Sequence, residues 1–207
     1  FLYANVPMIR GAVQEQCNWA FPLERHYVGT IDQDWGEEAA DALREWDKVC
    51  TFRGEPFDAE ACSRMRFIGS AVDADMLTSF TQDPDSGEPR IQLVRAHRIG
   101  DRFTGDEMVI EDGEFRGLIE NNGCIRDRQG RTIAWQVLGD DEEGDDDTFV
   151  QAAGGSMSLR PTYPDQVRGI SELVASINSF DDLKRLNEYE LRAQQLFASQ
   201  AIIEKNE

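Results

Sequence analysis

The stretch Arg160-Pro161-Thr162-Tyr163-Pro164-Asp165-Gln166-Val167-Arg168-Gly169-Ile170-Ser171-Glu172-Leu173 decides how this chain is read. Pro161 and Pro164 hold its first part out of regular structure, so Pro161 to Gly169 is a loop. Gly169 permits a tight turn, and Ser171 is a residue type that caps helices. From Ser171 to Lys205 there is no proline or glycine. Leu173, Ile177, Phe180, Leu183, Leu186, Ala193, Leu196 and Ala201 form an apolar stripe there. About 35 residues at 1.5 Å each would span on the order of 50 Å. A compact globule of this length has a diameter of roughly 43 Å. One straight helix would therefore protrude and need partners. The alternative is a break near Ser179, where Ser-Phe-Asp-Asp could start a new helix.

Upstream of this stretch, Val72 to Val150 has a different pattern. Asp83-Pro84-Asp85-Ser86-Gly87 is a turn signal, and Arg90 to Val94 alternates like a strand. Further strands are expected at Met108 to Ile110, Gly117 to Ile119, Cys124 to Arg126 and Thr132 to Leu138. Residues Asp127 to Arg131 form a hairpin-type turn between the last two, and alternation places Ile133, Trp135 and Val137 on one face. The N-terminal part is helical. Val6, Ile9, Val13 and Cys17 recur at helical spacing up to Trp19, and Phe21-Pro22 ends that helix. His26 to Ile31 reads as a short strand. Asp34 is expected to cap a second helix reaching about Phe52, with Trp35, Ala39, Leu43, Trp46 and Cys50 on one face. Gly54-Glu55-Pro56 breaks it, and Asp58 caps a third helix from Ala59 to about Ile68. The fold class is α+β: a helical N-terminal part, a β-rich middle and a long C-terminal helix.

The 207 residues carry 21 basic and 40 acidic side chains, a formal net charge of −19. That field repels phosphate and argues against a cationic nucleic-acid binder or a polybasic membrane-surface protein. Seven of the acids lie within Asp140 to Asp147, which lacks EF-hand spacing and reads as a solvated loop. No apolar run approaches the roughly 18 residues of a membrane-spanning helix, and no membrane partner is expected. Cys17, Cys50, Cys62 and Cys124 include no C-x-x-C, and they read as reduced core thiols. The chain begins at Phe1 and stops within polar helix at Glu207, so a piece of a longer protein is expected.

Chemistry is hard to find. Phosphate-binding glycine motifs are absent. His26 and His97 are far apart, and Ser156 and Ser158 lie outside any nucleophile elbow. Asp73-x-Asp75 could hold magnesium for phosphoryl transfer, though two solvated aspartates in a turn explain it equally well. Asp32-x-Asp34-x-Gly36 only faintly suggests a calcium loop. No nucleophile, base and orienting group come together, so no enzymatic activity and no cofactor are expected.

The run Arg160-Pro161 … Gln166-x-Arg168-Gly169-x-Ser171, leading into Leu173, Ser176-Ile177, Asp181-Asp182-Leu183, Tyr189-Glu190 and Ala193, resembles a motif of tailed-bacteriophage portal (head–tail connector) proteins of the lambda-like family. Gly123 to Trp135 is similar to that family's G-x-x-x-D-x-x-G-R-x-x-A-Y/W hairpin, and Ile91 to Ile99 to the strand before it. Arg10-Gly11-Ala12-Val13, Trp46-Asp47 and Gly54 to Asp58 also resemble it, in matching order along nearly the whole chain. Two departures stand out: Gly154 to Leu159 reads as a loop where an apolar strand belongs, and whatever follows the long helix is missing.

The resemblance implies a non-enzymatic structural subunit of a ring, usually a dodecamer, at the portal vertex of a virion assembled in the host cytoplasm. Residues 1–165 would be the wing and 166–207 the stem-helix region. Partners would be other copies of itself, terminase, head-completion and tail proteins, the major capsid protein, and double-stranded DNA passing through the channel. Arg160, Pro161, Gln166, Arg168, Gly169 and Ser171 would form the motif leading into the stem helix. Arg168 would pair with an acid of its own or the next subunit. Lys184, Arg185 and Arg192 would face a neighbour or the channel. The competing readings are a metal-dependent phosphoryl-transfer or nuclease domain built on Asp73 and Asp75, and an acidic adaptor that binds a protein through its C-terminal helix without forming a ring.

Overall fold

A strand that buries both its faces organises most of the chain. In this computed structural model, which describes residues 3, 6–20, 33–53, 57–100, 107–139 and 147–204, strand β1 (Asp75–Gln82) has its first four residues buried. It is the centre of a three-stranded antiparallel sheet in the order β2-β1-β8, with β2 at Pro89–Arg95 and β8 at Gly155–Leu159. Met76 pairs with Arg95 on one side and Ser158 on the other. A second antiparallel sheet takes the remaining strands in sequence order: β3 (Met108–Val109), β4 (Ile119–Asn121), β5 (Cys124–Arg126), β6 (Thr132–Val137) and β7 (Thr148–Gln151). The α+β class is as expected, with helices α1 (Pro7–Ala20), α2 (Gln33–Val49) and α3 (Ala59–Val72) before the sheets.

Period-two alternation sends Leu77 and Val94 toward the second sheet, where they pack with Ile99, Cys124, Trp135 and Val137. The opposite face of the first sheet is covered by helices. Cys50, Ala59 and Cys62 are buried there beside Trp46, Met65, Ile91 and Leu93. A third cluster, Phe115, Ile125 and Ala134, covers the far side of the second sheet.

Local chemistry explains the helix limits. Asp58 stands at the N-cap of α3, its Oδ1 accepting from the Ala61 N–H at 2.7 Å. The helix continues to Val72, past the expected Ile68. Asp34 is no cap, because α2 begins at Gln33 and places it in the first turn, where a carboxylate still complements the helix dipole. The buried line of α2 runs through Gly36 and Ala40, with Cys50 buried just past its end. Trp35, a quarter turn off that line, is exposed, and Leu43 is exposed as well. In α1, Ile9, Val13 and Cys17 are buried as their spacing predicts.

Four β expectations change. Ile133 leaves the face shared by Trp135 and Val137, because the β5–β6 register shifts between Ile125 and Arg126. It packs with Ile125 and Ala134 instead. Gly154 to Leu159, expected as a loop, contains β8. Its small residues suit that place: a Cβ at Gly155 would meet Val150 Cγ1 at 2.8 Å and Trp135 Cζ3 at 3.1 Å. Ser158 accepts hydrogen bonds from Arg66 at 2.7 and 3.0 Å. Finally, β1 occupies a stretch where no strand was expected, and β4 starts at Ile119, two residues beyond the expected Gly117.

The chain divides into two compact units, Phe1–Ser171 and Glu172–Glu207. Arg168 and Gly169 are bonded into the first unit. The second unit contains a 3₁₀ turn, Val174–Ser176, and helix α4, Ile177–Glu204. The helix runs through Ser179 without the alternative break; its 28 residues correspond to about 42 Å. Ser171 is not adjacent to the α-helix, and its hydroxyl donates to the Ala71 carbonyl at 3.2 Å. The expectations for Phe21-Pro22, His26 to Ile31, Gly54 to Pro56 and the acids at 140–146 lie outside the described residues. No helix among the described residues is long and apolar enough to cross a membrane.

Asp58→Ala removes the cap of α3 and should cost about 1 kcal/mol, lowering Tm by roughly 2–4 °C in a thermal melt followed by circular dichroism.

Candidate functional site

Of the residues singled out around Arg168, Gln166, Arg168 and Gly169 belong to one hydrogen-bonded cluster built on a buried acid. Asp75 opens β1, and it is 1% exposed. An ionised carboxylate is costly there unless its lone pairs are occupied. Arg168 Nε donates to Asp75 Oδ2 at 2.7 Å and Nη2 to Oδ1 at 3.0 Å, the two-pronged geometry that suits guanidinium and carboxylate. The Gly169 N–H adds a third bond, to Oδ2 at 2.9 Å.

The rest of the guanidinium is equally committed. Nη1 donates to the Ile99 carbonyl at 2.6 Å and the Asn122 carbonyl at 2.9 Å, and Nη2 to the Ala96 carbonyl at 2.8 Å. All five donors of the side chain are therefore used. They join the start of β1, the 3₁₀ turn Ala96–Arg98 with its neighbour Ile99, and the β4–β5 turn. Arg168 pairs with Asp75 of the same chain.

Backbone geometry makes the approach possible. Ala74 has φ 86°, an unusual value for a residue with a side chain, and turns the chain from α3 into β1. A Cβ on Gly169 would lie 1.9 Å from the Ala74 carbonyl oxygen, so only glycine fits. Asn122 and Gly123 have φ 50° and 79°, the paired left-handed values of a tight hairpin turn. Gln166 braces the loop: its Oε1 accepts from the Thr162 N–H at 2.6 Å, and its Nε2 donates to the Arg168 carbonyl at 2.8 Å. Arg160 lies over the Phe67 ring, 4.8 Å from its centroid, while Pro161 is exposed. Cys124 is buried beside the cluster, its Sγ 3.8 Å from the Val167 carbonyl, and burial pushes its thiol up to about 11.

The other candidates are dispersed. Asp73 accepts two bonds from Arg95, at 3.0 and 3.1 Å, so both carboxylates of Asp73-x-Asp75 are held by arginines. Among the described residues no group of three or more His, Cys, Asp or Glu could hold a metal ion. His97 is exposed in the Ala96–Arg98 turn, and Ser156 and Ser158 lie in β8. Asp147, at the end of the acidic run, accepts from the Gly139 N–H at 2.7 Å and from Gln136 Nε2 at 3.2 Å. On α4, Arg185 pairs with Asp181 at 2.8 Å, and Lys184 and Arg192 are exposed. Two parts of the cluster were missed in the sequence: Asp75 as the acid partner, and Asn122, whose carbonyl accepts from the guanidinium. The Asn-Gly dipeptide is a strong hairpin signal that could have located the second.

No protein-family model matches the chain, and no curated protein matches its sequence.

Arg168→Ala would leave the Asp75 charge buried and unpaired, and should destabilise the first unit by about 3–5 kcal/mol in urea unfolding. Arg168→Lys keeps the charge but not the fork and should recover less than half of that loss. Near-wild-type stability of either variant would show that the cluster is not what holds these segments together.

Proposed function

We propose that this chain is part of the subunit of a ring-forming viral portal of the tailed-bacteriophage type. In this reading it is a non-enzymatic conduit for double-stranded DNA during packaging and ejection, and a docking site for terminase and for head-completion and tail proteins. Its place is the portal vertex of the virion, next to the major capsid protein.

The observation that carries the reading is the surface of α4. Leu183, Leu186, Ala193 and Phe197 fall on one face of that helix by their spacing, and every residue from 181 to 199 is exposed. Phe197 is 71% exposed. A solvated helix gains nothing from such a stripe, whereas a helix packed among copies of itself does. A closed ring uses a head-to-tail interface between complementary surfaces, and the mixed charges of Asp181, Asp182, Lys184, Arg185 and Arg192 suit one. The motif order along the chain adds support. The phosphoryl-transfer alternative loses its ligands, since Asp73 and Asp75 are bonded to Arg95 and Arg168.

The test is negative-stain imaging and light-scattering mass of the full-length polypeptide that contains this chain. Rings with a central hole are expected, and Leu186→Glu combined with Phe197→Glu should reduce the ring fraction at least tenfold while leaving the melting of the first unit unchanged. A strict monomer at all concentrations would defeat the portal reading in favour of the adaptor.

A further inference from the structure

Two of the four cysteines lie against each other. Cys50 follows the last residue of α2, Cys62 is in the first turn of α3, and both are buried in one small cluster with Ala59. The Cys50 thiol donates to the Phe57 carbonyl at 4.0 Å, and Cys62 is near enough to help raise its pKa. Both are free cysteines. The Cys50 carbonyl also accepts from the Ile91 N–H at 2.7 Å, so this point is already tied to β2. The other two thiols are elsewhere: Cys17 on the buried face of α1, and Cys124 beside Val167.

We propose that Cys50 and Cys62 are a redox-active dithiol that closes to a disulfide under a peroxide oxidant and staples the end of α2 to α3. The inference is independent of the portal reading. In the first step one thiol loses its proton, and the thiolate attacks an oxygen of hydrogen peroxide, forming a sulfenic acid and releasing hydroxide, which takes up that proton as water. The second thiol then attacks the sulfenic sulfur, forming the S–S bond and releasing water. Two thiols lose two electrons and two protons in all, and one peroxide becomes two waters.

Hydrogen peroxide is small, which suits a buried pair. Burial pushes the Cys50 thiol up to about 11, and the neighbouring Cys62, Asp47 and Asp58 act in the same direction. At neutral pH the thiolate fraction is therefore on the order of 10⁻⁴, so closure is slow and must wait for rare ionisation or local opening. Once closed, the bond ends a short loop from residue 50 to 62. It removes freedom from the unfolded chain only, so the oxidised protein gains stability.

The experiment uses the intact wild-type chain, incubated with hydrogen peroxide at pH 8 and digested with trypsin under non-reducing conditions. Cleavage after Lys48, Arg53 and Arg64 puts Cys50 in the peptide 49–53 and Cys62 in 54–64. The expected result is one species joining these two peptides, split by a reductant, with Cys17 and Cys124 still open to alkylation after denaturation. A thermal melt should show Tm raised by several degrees on oxidation, reversed by reductant and absent in Cys62→Ala. Separate peptides after oxidation, or linkage through Cys17 or Cys124 instead, would overturn the proposal. The peptide map needs no variant, so it decides the matter even if Cys62→Ala misfolds.

Discussion

One buried ion pair holds the start of β1, the Ala96–Ile99 segment and the β4–β5 turn to a single loop. Asp75 and Arg168 are 93 positions apart, and each alone would be a costly charge at its depth. Together they satisfy one another, and the leftover valences of the guanidinium reach three backbone carbonyls on two other segments. A buried pair of this kind adds little net stability relative to a well-packed apolar pair. Its use here is geometric. A planar fork with fixed donor directions sets the distance between β1, the Ala96–Ile99 segment and the β4–β5 turn, which apolar contacts would leave looser.

Small residues let those segments come close enough to be bonded. Gly169 passes against the Ala74 carbonyl, and Gly123 lies where a side chain would strike the backbone of Gly100 at 2.4 Å. The strain at Ala74 is part of the same arrangement, since that residue aims Asp75 into the cluster. Beyond the last of these contacts the chain changes character. The first unit buries Leu77, Trp135 and Ile125, whereas the second keeps the apolar side chains of Leu186, Leu191, Leu196 and Phe197 exposed.

The net charge of −19 has a narrower meaning in this setting. It opposes tight phosphate binding. In the proposed portal reading it would not oppose a channel, where duplex DNA must slide without being held. Seven of the acids are concentrated in Asp140 to Asp147, and the last of them, Asp147, is used to hold Gly139 and Gln136.

The sequence by itself determined the elements that local rules govern. Spacing of Ile9, Val13 and Cys17 marked α1, Asp58 marked the start of α3, and the long proline-free, glycine-free run marked α4. Alternation marked β2, β5 and β6, and of the Arg160 to Ser171 motif it is Gln166, Arg168 and Gly169 that are joined by hydrogen bonds at Asp75 and its loop. Tertiary structure alone decided what lies far apart in the chain. Asp75 looked like half of a metal pair because its partner is 93 residues away, and no local pattern encodes a bond of that range. Ile133 changed face because a bulge in pairing, invisible to strict alternation, shifted its register. Gly155 to Leu159 became a strand because β1 offered an unpaired edge and Trp135 needed the space of a missing side chain. Periodicity records which face a residue prefers; which surface covers that face is settled only when distant segments meet.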